Sequence, residues 1–118
     1  DSHWRDLNRK VEKALSIEGP TFINILAPCP VGWGYPPEEG IEIARLAVDT
    51  CIWPLYEFEN GKRKLNYKPK EKKPLSEWTK RQRRFRHLHL EENRELLQIA
   101  QEEVDRRWQV LLEQCQAA

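Results

Sequence analysis

The sequence predicts an α/β fold, on three observations. First, the run Thr21-Phe22-Ile23-Asn24-Ile25-Leu26-Ala27 is short and apolar, β-branched or aromatic at four of its seven positions, and bounded by Gly19-Pro20 and Pro28. It reads as a strand buried on both faces, as in a parallel sheet. Second, helical periodicity stands on both sides of it. Third, helix followed closely by strand is the second half of a βαβ unit, whose first strand would precede Asp1. The chain is therefore expected to be part of a longer α/β domain, because a lone strand of this type leaves its backbone groups unpaired.

The elements follow in order. Trp4, Leu7, Val11 and Leu15 recur at spacings of three and four, which predicts an amphipathic helix over 3–16, ended by Gly19-Pro20. The strand over 21–27 runs into the loop 28–34, where Cys29 stands between Pro28 and Pro30, each of which fixes its own φ. Pro36-Pro37-Glu38-Glu39 is a helix start, with acids near the positive end of the dipole. Ile41, Ala44, Val48 and Cys51 then share a face, and Pro54 is expected to stop the helix near Trp53. Leu55 to Tyr67 reads as a hairpin turning on Asn60-Gly61, with Glu59 opposite Lys62, Glu57 opposite Lys64 and Tyr56 opposite Leu65. One face would carry Tyr56, Phe58, Leu65 and Tyr67, and the other two opposite-charge pairs. A basic linker, 68–74, leads to a helix with Ser76 as N-cap and Trp78, Gln82 and Phe85 on one face. Last, Leu97, Ala100, Val104, Trp108, Leu111 and Cys115 predict a long amphipathic helix over 91–116. The preceding elements offer it little apolar area, so Leu97, Val104, Trp108 and Leu111 are expected to dock on a partner surface and not only on this chain.

Composition narrows the function classes. Hydrophobic residues make up 39% and charged ones 33%, so the core is modest, and five Trp concentrate the apolar surface in few side chains. A net charge of +1 hides segregation, because 62–86 holds twelve Lys or Arg against Glu71 and Glu77 while both flanks are acidic. No run approaches the roughly 20 apolar residues that span a bilayer, and the expected location is cytoplasmic. Cys29, Cys51 and Cys115 are odd in number and widely spaced, against both a disulfide framework and a self-contained metal site. Cys51 reads as a small core residue.

No Ser-His-Asp set, paired catalytic acids or glycine-rich phosphate loop is present, and His3, His87 and His89 show no metal spacing, so no catalytic residue is assigned. The basic segment is open to four readings: a solvated face, a subunit contact, a nucleic-acid footprint with Trp78 and Phe85 stacking on bases, or attraction for an acidic protein. Both aromatics fall on the apolar stripe, which favours the first two. For Cys29 the bland reading is a buried loop thiol. The alternative is a metal-bound thiolate, since a rigid loop presents sulfur while Gly32 and Gly34 let backbone amides approach it.

One resemblance weighs on that choice. The run Gly19-Pro-Thr-Phe-Ile-Asn-Ile-Leu-Ala-Pro-Cys-Pro-Val-Gly-Trp33, with Pro36-Pro37-Glu38 and Arg84-Phe85-Arg86-His87-Leu88, resembles the C-terminal part of the β subunit of pyruvate:ferredoxin oxidoreductase. The resemblance covers nearly the whole chain. It implies a C-terminal fragment of a thiamine-diphosphate-binding fold: helix, buried strand, helix, β-hairpin and helical C-terminal arm. Residues 1–53 would end the thiamine-binding α/β domain with the loop 28–34, 54–74 would be hairpin and basic linker, and 75–118 the arm. The implied reaction is oxidative decarboxylation of a 2-oxoacid, pyruvate being the expected one, to acyl-CoA. Electrons would pass through a proximal 4Fe-4S cluster to ferredoxin. Cys29 would be the last of four cluster thiolates, the other three and the Gly-Asp-Gly segment for magnesium and thiamine diphosphate lying outside this sequence. The chain alone is then expected to be inactive. Implied partners are the other subunits, ferredoxin, pyruvate and coenzyme A. The rival reading is a non-enzymatic interaction module whose basic helix and long last helix bind a protein or nucleic acid.

Overall fold

The computed structural model describes residues 2–116. Four α-helices and one two-stranded sheet are defined: α1 (Trp4–Ser16), α2 (Gly40–Asp49), β1 (Tyr56–Glu59), β2 (Lys62–Leu65), α3 (Ser76–Thr79) and α4 (Arg94–Gln116). A five-residue π-turn covers Pro30–Gly34, and 3₁₀ turns cover Pro37–Glu39, Arg83–His89 and Glu91–Asn93. The chain is helical with a small sheet, which is compatible with a fragment of an α/β fold. No helix of the described residues is long and apolar enough to cross a membrane.

Residues 21–27 have no regular secondary structure and belong to no sheet among the described residues. The burial expected on both faces is missing too: Ile23 and Leu26 are half-buried, whereas Phe22 is 88% and Ile25 52% exposed. Leu26 packs on the core, and the segment lies along a crevice lined by Leu7, Ala44, Val48 and Leu55. β-branched and aromatic content favours a strand, but a ladder also needs a neighbouring strand, and the one sheet described here is the hairpin.

α1 forms where its periodicity places it, yet Trp4, Val11 and Leu15 of its apolar stripe face outward and only Leu7 turns toward the crevice. Trp4 is 58% and Leu15 82% exposed, while the buried residue of the helix is Asp6. Charge holds this helix to the chain. Lys13 reaches Glu57 and Glu59 of β1 at 2.8 and 3.1 Å, while Asp6 pairs inside the helix with Lys10 at 2.6 Å. Chain continuation is stopped at Ile17, which turns extended, two residues before Gly19 at φ +123°.

α2 is the centre of the core. Ile43, Leu46 and Ala47 pack with Tyr35, Leu75 and Trp78, while Ala44 and Val48 face the 21–27 segment. The expected stripe holds at Ala44, Val48 and Cys51 and fails at Ile41, which is 65% exposed among Glu38, Glu42 and Arg45. Pro54 does not end this helix, because its last turn closes earlier. The buried Thr50 hydroxyl donates to the Leu46 and Ala47 carbonyls at 2.8 and 3.3 Å, and Cys51 takes φ +65°. Cys51 is 3% exposed, and burial pushes its thiol up to about 11.

The hairpin has the expected register, Tyr56↔Leu65, Glu57↔Lys64 and Glu59↔Lys62, about an Asn60-Gly61 turn with φ +52° and +77°. Positive φ at both central residues is what a type I′ turn requires. Its acidic side chains do not pair across the strands, however, since Lys13 and Asn66 take Glu57. Leu65 joins the α4 cluster, and Phe58 stays exposed beneath Arg63.

α3 is a single turn, and Ser76 is its first residue with no side-chain cap. The reason lies at Gln82. Its backbone N–H goes to Thr79 O at 3.1 Å, and its side-chain amide takes the Trp78 carbonyl at 2.9 Å, the acceptor an α-helix would give to the backbone of residue 82. Trp78 and Gln82 are nevertheless buried as the stripe predicts, so burial holds where the helix does not.

α4 begins after a 3₁₀ turn and docks on this chain. Val104 enters the α2 core, and Trp108 and Leu111 cluster with Cys51 and Leu65. Three of the four expected partner anchors are thus already buried on this chain, while Leu97 is half-buried. The basic linker is fastened as well: Lys72 pairs with Asp105, the Lys73 amide donates to Asp49 O, and the Leu75 amide donates to Gln101 Oε1 at 2.7 Å.

Candidate functional site

The candidate site is the loop around Cys29. Pro28 and Pro30 restrict the backbone on either side, and Cys29 itself is extended, at φ −114° and ψ 109°. The chain then folds back on the cysteine. Trp33 N–H donates to Cys29 O at 2.9 Å, Tyr35 N–H to Pro30 O at 3.2 Å, and Gly32 N–H to Cys29 Sγ at 3.4 Å. The thiol is solvent-exposed. It is therefore not the buried loop thiol of the bland reading.

Two features hold the loop against the body. Gly34 has φ +78°, and a Cβ there would stand 2.7 Å from Arg83 Cβ, so only glycine fits. Beside it Arg84 lies over three aromatic rings, with its guanidinium carbon 3.9 Å from the Trp33 centroid, 4.5 Å from Phe85 and 5.5 Å from Trp78. Trp33 meets Trp78 edge-on at 5.8 Å. Shielding by the rings lowers the Arg84 pKa. Arg84 Nε donates to the buried Gln82 Oε1 at 2.7 Å. Tyr35 lines the floor, and burial raises its phenol pKa.

The sequence placed Cys29, Gly32 and Gly34 in this loop, and they are there. The Arg84–Trp33 pairing it missed, because the partners are distant in the chain. No local pattern links them. Among the described residues no group of three or more His, Cys, Asp or Glu could hold a metal ion. Cys29 is thus one donor, and Cys51 is sealed in the core by α4. The basic segment is partly spent on internal pairs. Arg81 bridges Glu39 and Glu42 at 2.8 and 3.0 Å, and Trp78, 6% exposed, has no free face for a base.

No family profile matches the chain. Individual proteins do. The chain is 61% identical over 87 residues to "Pyruvate synthase subunit PorB" of Methanocaldococcus jannaschii, covering 74% of this chain and 29% of that protein. To "Ketoisovalerate oxidoreductase subunit VorB" of Pyrococcus furiosus it is 48% identical over 103 residues, 86% of this chain and 33% of the relative. To the PorB subunit of Thermotoga maritima it is 44% identical over 108 residues, 91% of this chain and 33% of the relative. This chain is a homologue of the PorB and VorB subunits. The similarity falls on their C-terminal part, as the Pro-Cys-Pro run suggests. The chain spans about a third of the length of the PorB and VorB relatives it matches.

Proposed function

We propose that this chain serves as the C-terminal part of the β subunit of a 2-oxoacid:ferredoxin oxidoreductase, with pyruvate as substrate, and that Cys29 is one thiolate ligand of a 4Fe-4S cluster. The observation that carries the reading is the Cys29 sulfur itself: exposed, held between two prolines, and receiving the Gly32 amide. That donor set suits a cluster thiolate, whose charge backbone amides stabilise and whose potential they tune. One thiolate is not a cluster site, so three further ligands would come from other parts of the assembled enzyme. Residues that would hold thiamine diphosphate or magnesium are not found here, and both are assigned to the remainder of the subunit. Segments 1–53, 54–74 and 75–118 are read as the end of the thiamine-binding domain, the hairpin with its linker, and the arm. Other subunits, ferredoxin, coenzyme A and a cytoplasmic location complete the proposal.

Within it, a bound cluster supplies one-electron transfer. The residues of this chain do the holding. The Pro-Cys-Pro backbone limits the travel of Sγ, the Gly32 N–H offsets thiolate charge, and the Trp33 and Tyr35 rings wall the loop on its core side. Relatives named for pyruvate and for ketoisovalerate both match this chain, and the one named for pyruvate synthase does so at the higher identity, 61% against 48%. A nucleic-acid module is not favoured, since Arg81 is paired and Trp78 is covered.

The test is Cys29→Ser in the assembled oxidoreductase, scored by iron content and low-temperature spin resonance. Serine is a harder and poorer ligand for iron-sulfur clusters. One cluster signal should vanish or change while thiamine diphosphate stays bound. Unchanged iron and spectra would remove Cys29 from the ligand set.

A further inference from the structure

We infer that Arg84 is the positioning residue of the Cys29 loop. The inference rests on the proposed cluster role only for the reason the sulfur must be held. The hydrogen bonds within the loop, Trp33 N–H to Cys29 O and Tyr35 N–H to Pro30 O, shape it without fastening it to anything else. Fastening comes from the Arg83–His89 turn.

The geometry is a relay of fixed planes. The Gln82 side chain is 1% exposed and is locked by its amide on Trp78 O at 2.9 Å. Its free oxygen takes Arg84 Nε at 2.7 Å, which sets the plane of the guanidinium. The guanidinium carbon lies 3.9 Å from the Trp33 centroid, and Trp33 in turn donates its backbone N–H to Cys29 O. Arg84 forms no ion pair among the described residues, so ring faces rather than a carboxylate compensate its charge. A planar cation is needed for this contact. Lysine supplies the charge without the plane or the fork.

The experiment uses the 118-residue chain, isotope-labelled, as wild type, Arg84→Met, Arg84→Lys and Trp33→Leu. Amide exchange at Trp33 should accelerate roughly tenfold in Arg84→Met and by less in Arg84→Lys, as expected for losing a partly desolvated cation–π contact. Val104 and Trp108 amides in α4 should keep their protection. In wild type the Arg84 Nε–H proton should be shifted upfield by the indole ring current, and Trp33→Leu should return it downfield. Equal Trp33 exchange in all Arg84 variants overturns the inference, and so does a uniform acceleration that includes α4, which would make Arg84 a general stabiliser. An Arg84 Nε–H shift indifferent to Trp33→Leu also overturns it. If Arg84→Met does not fold, the Trp33-to-Val104 exchange ratio in Arg84→Lys decides alone. Neither readout involves iron, so failure of the cluster proposal leaves this test intact.

Discussion

Gly34 shows how narrow the tolerances of the loop are. Its φ of +78° and the 2.7 Å from a notional Cβ to Arg83 Cβ penalise any side chain twice, by backbone strain and by overlap. Left-handed strain is roughly 1–2 kcal/mol and overpacking about 1–3. Gly34→Ala should therefore lower the melting temperature by several degrees and change Trp33 emission, both readable in one fluorescence melt. Gly32 is the contrast, because a Cβ there would meet Cys29 Sγ at 3.4 Å, an ordinary contact. At His3 the consequence is a pH effect. Burial lowers its pKa from 6.5, so the unfolded chain binds the proton more readily. Stability tied to neutral His3 is complete above pH 6.5 and declines as pH falls from there toward the lowered folded value. Melting curves between pH 7 and 5.5 should show that decline, and His3→Gln should flatten it.

Elements differ in how far local sequence determines them. The hairpin was legible in full because its information is local: Asn60-Gly61 demands a type I′ turn, and alternation then sets register. Gly61→Ala, at φ +77°, should destabilise it by about 1 kcal/mol, seen as faster exchange at the Glu59 and Lys62 amides. The 21–27 segment was misread as a strand, since strand status depends on a neighbour that composition does not describe. α3 failed for the opposite reason, a single side chain taking a carbonyl from the backbone at Gln82. α4 was right in position and stripe, but the apolar area the chain itself offers it was underestimated, because that area is assembled from Cys51, Leu65, Ile43 and Leu75, which no window of sequence brings together. Trp108→Ala should accordingly cost about 3–5 kcal/mol in the chain itself, measured by urea melts, before any subunit contact is considered.

At the scale of the whole molecule the chain is less condensed than its length suggests. Its radius of gyration is 15.9 Å, against about 13.5 Å for a compact domain of this length. It exposes 8506 Å², where a folded monomer of this size exposes about 6,700 Å². Much of the apolar part lies at Trp4, Leu15, Phe22, Ile25 and Val31, all in the first third of the chain. A hydrophobic dye should bind the native chain, and Phe22→Asp should reduce that signal while leaving the melting temperature within about a degree, since surface changes stay within roughly ±0.5 kcal/mol. Charge pairs set the acid limit. Hydrogen bonds from Lys13 and Asn66 hold Glu57 below its usual 4.5, and those from Arg106 and Arg107 hold Glu103 at about 2. The stability these pairs add is present above pH 4.5 and is lost as pH falls toward the folded values. Lys13→Met should shrink the loss of melting temperature between pH 5 and 3.

The exposure of Cys29 also governs how the protein must be handled. Of three free thiols one is at the surface, one is half-covered and one is sealed, with a pKa of about 11. Oxidation follows exposure and thiolate character. In air the chain should therefore age first at Cys29. Oxygen takes the thiol to a sulfenic acid, which either condenses with a second Cys29 thiol, losing water, into a covalent dimer or is oxidised further to a sulfinic acid that reductant no longer reverses. A gel run without reductant would show the dimer band, and Cys29→Ala would abolish it while Cys51 stays in its reduced form.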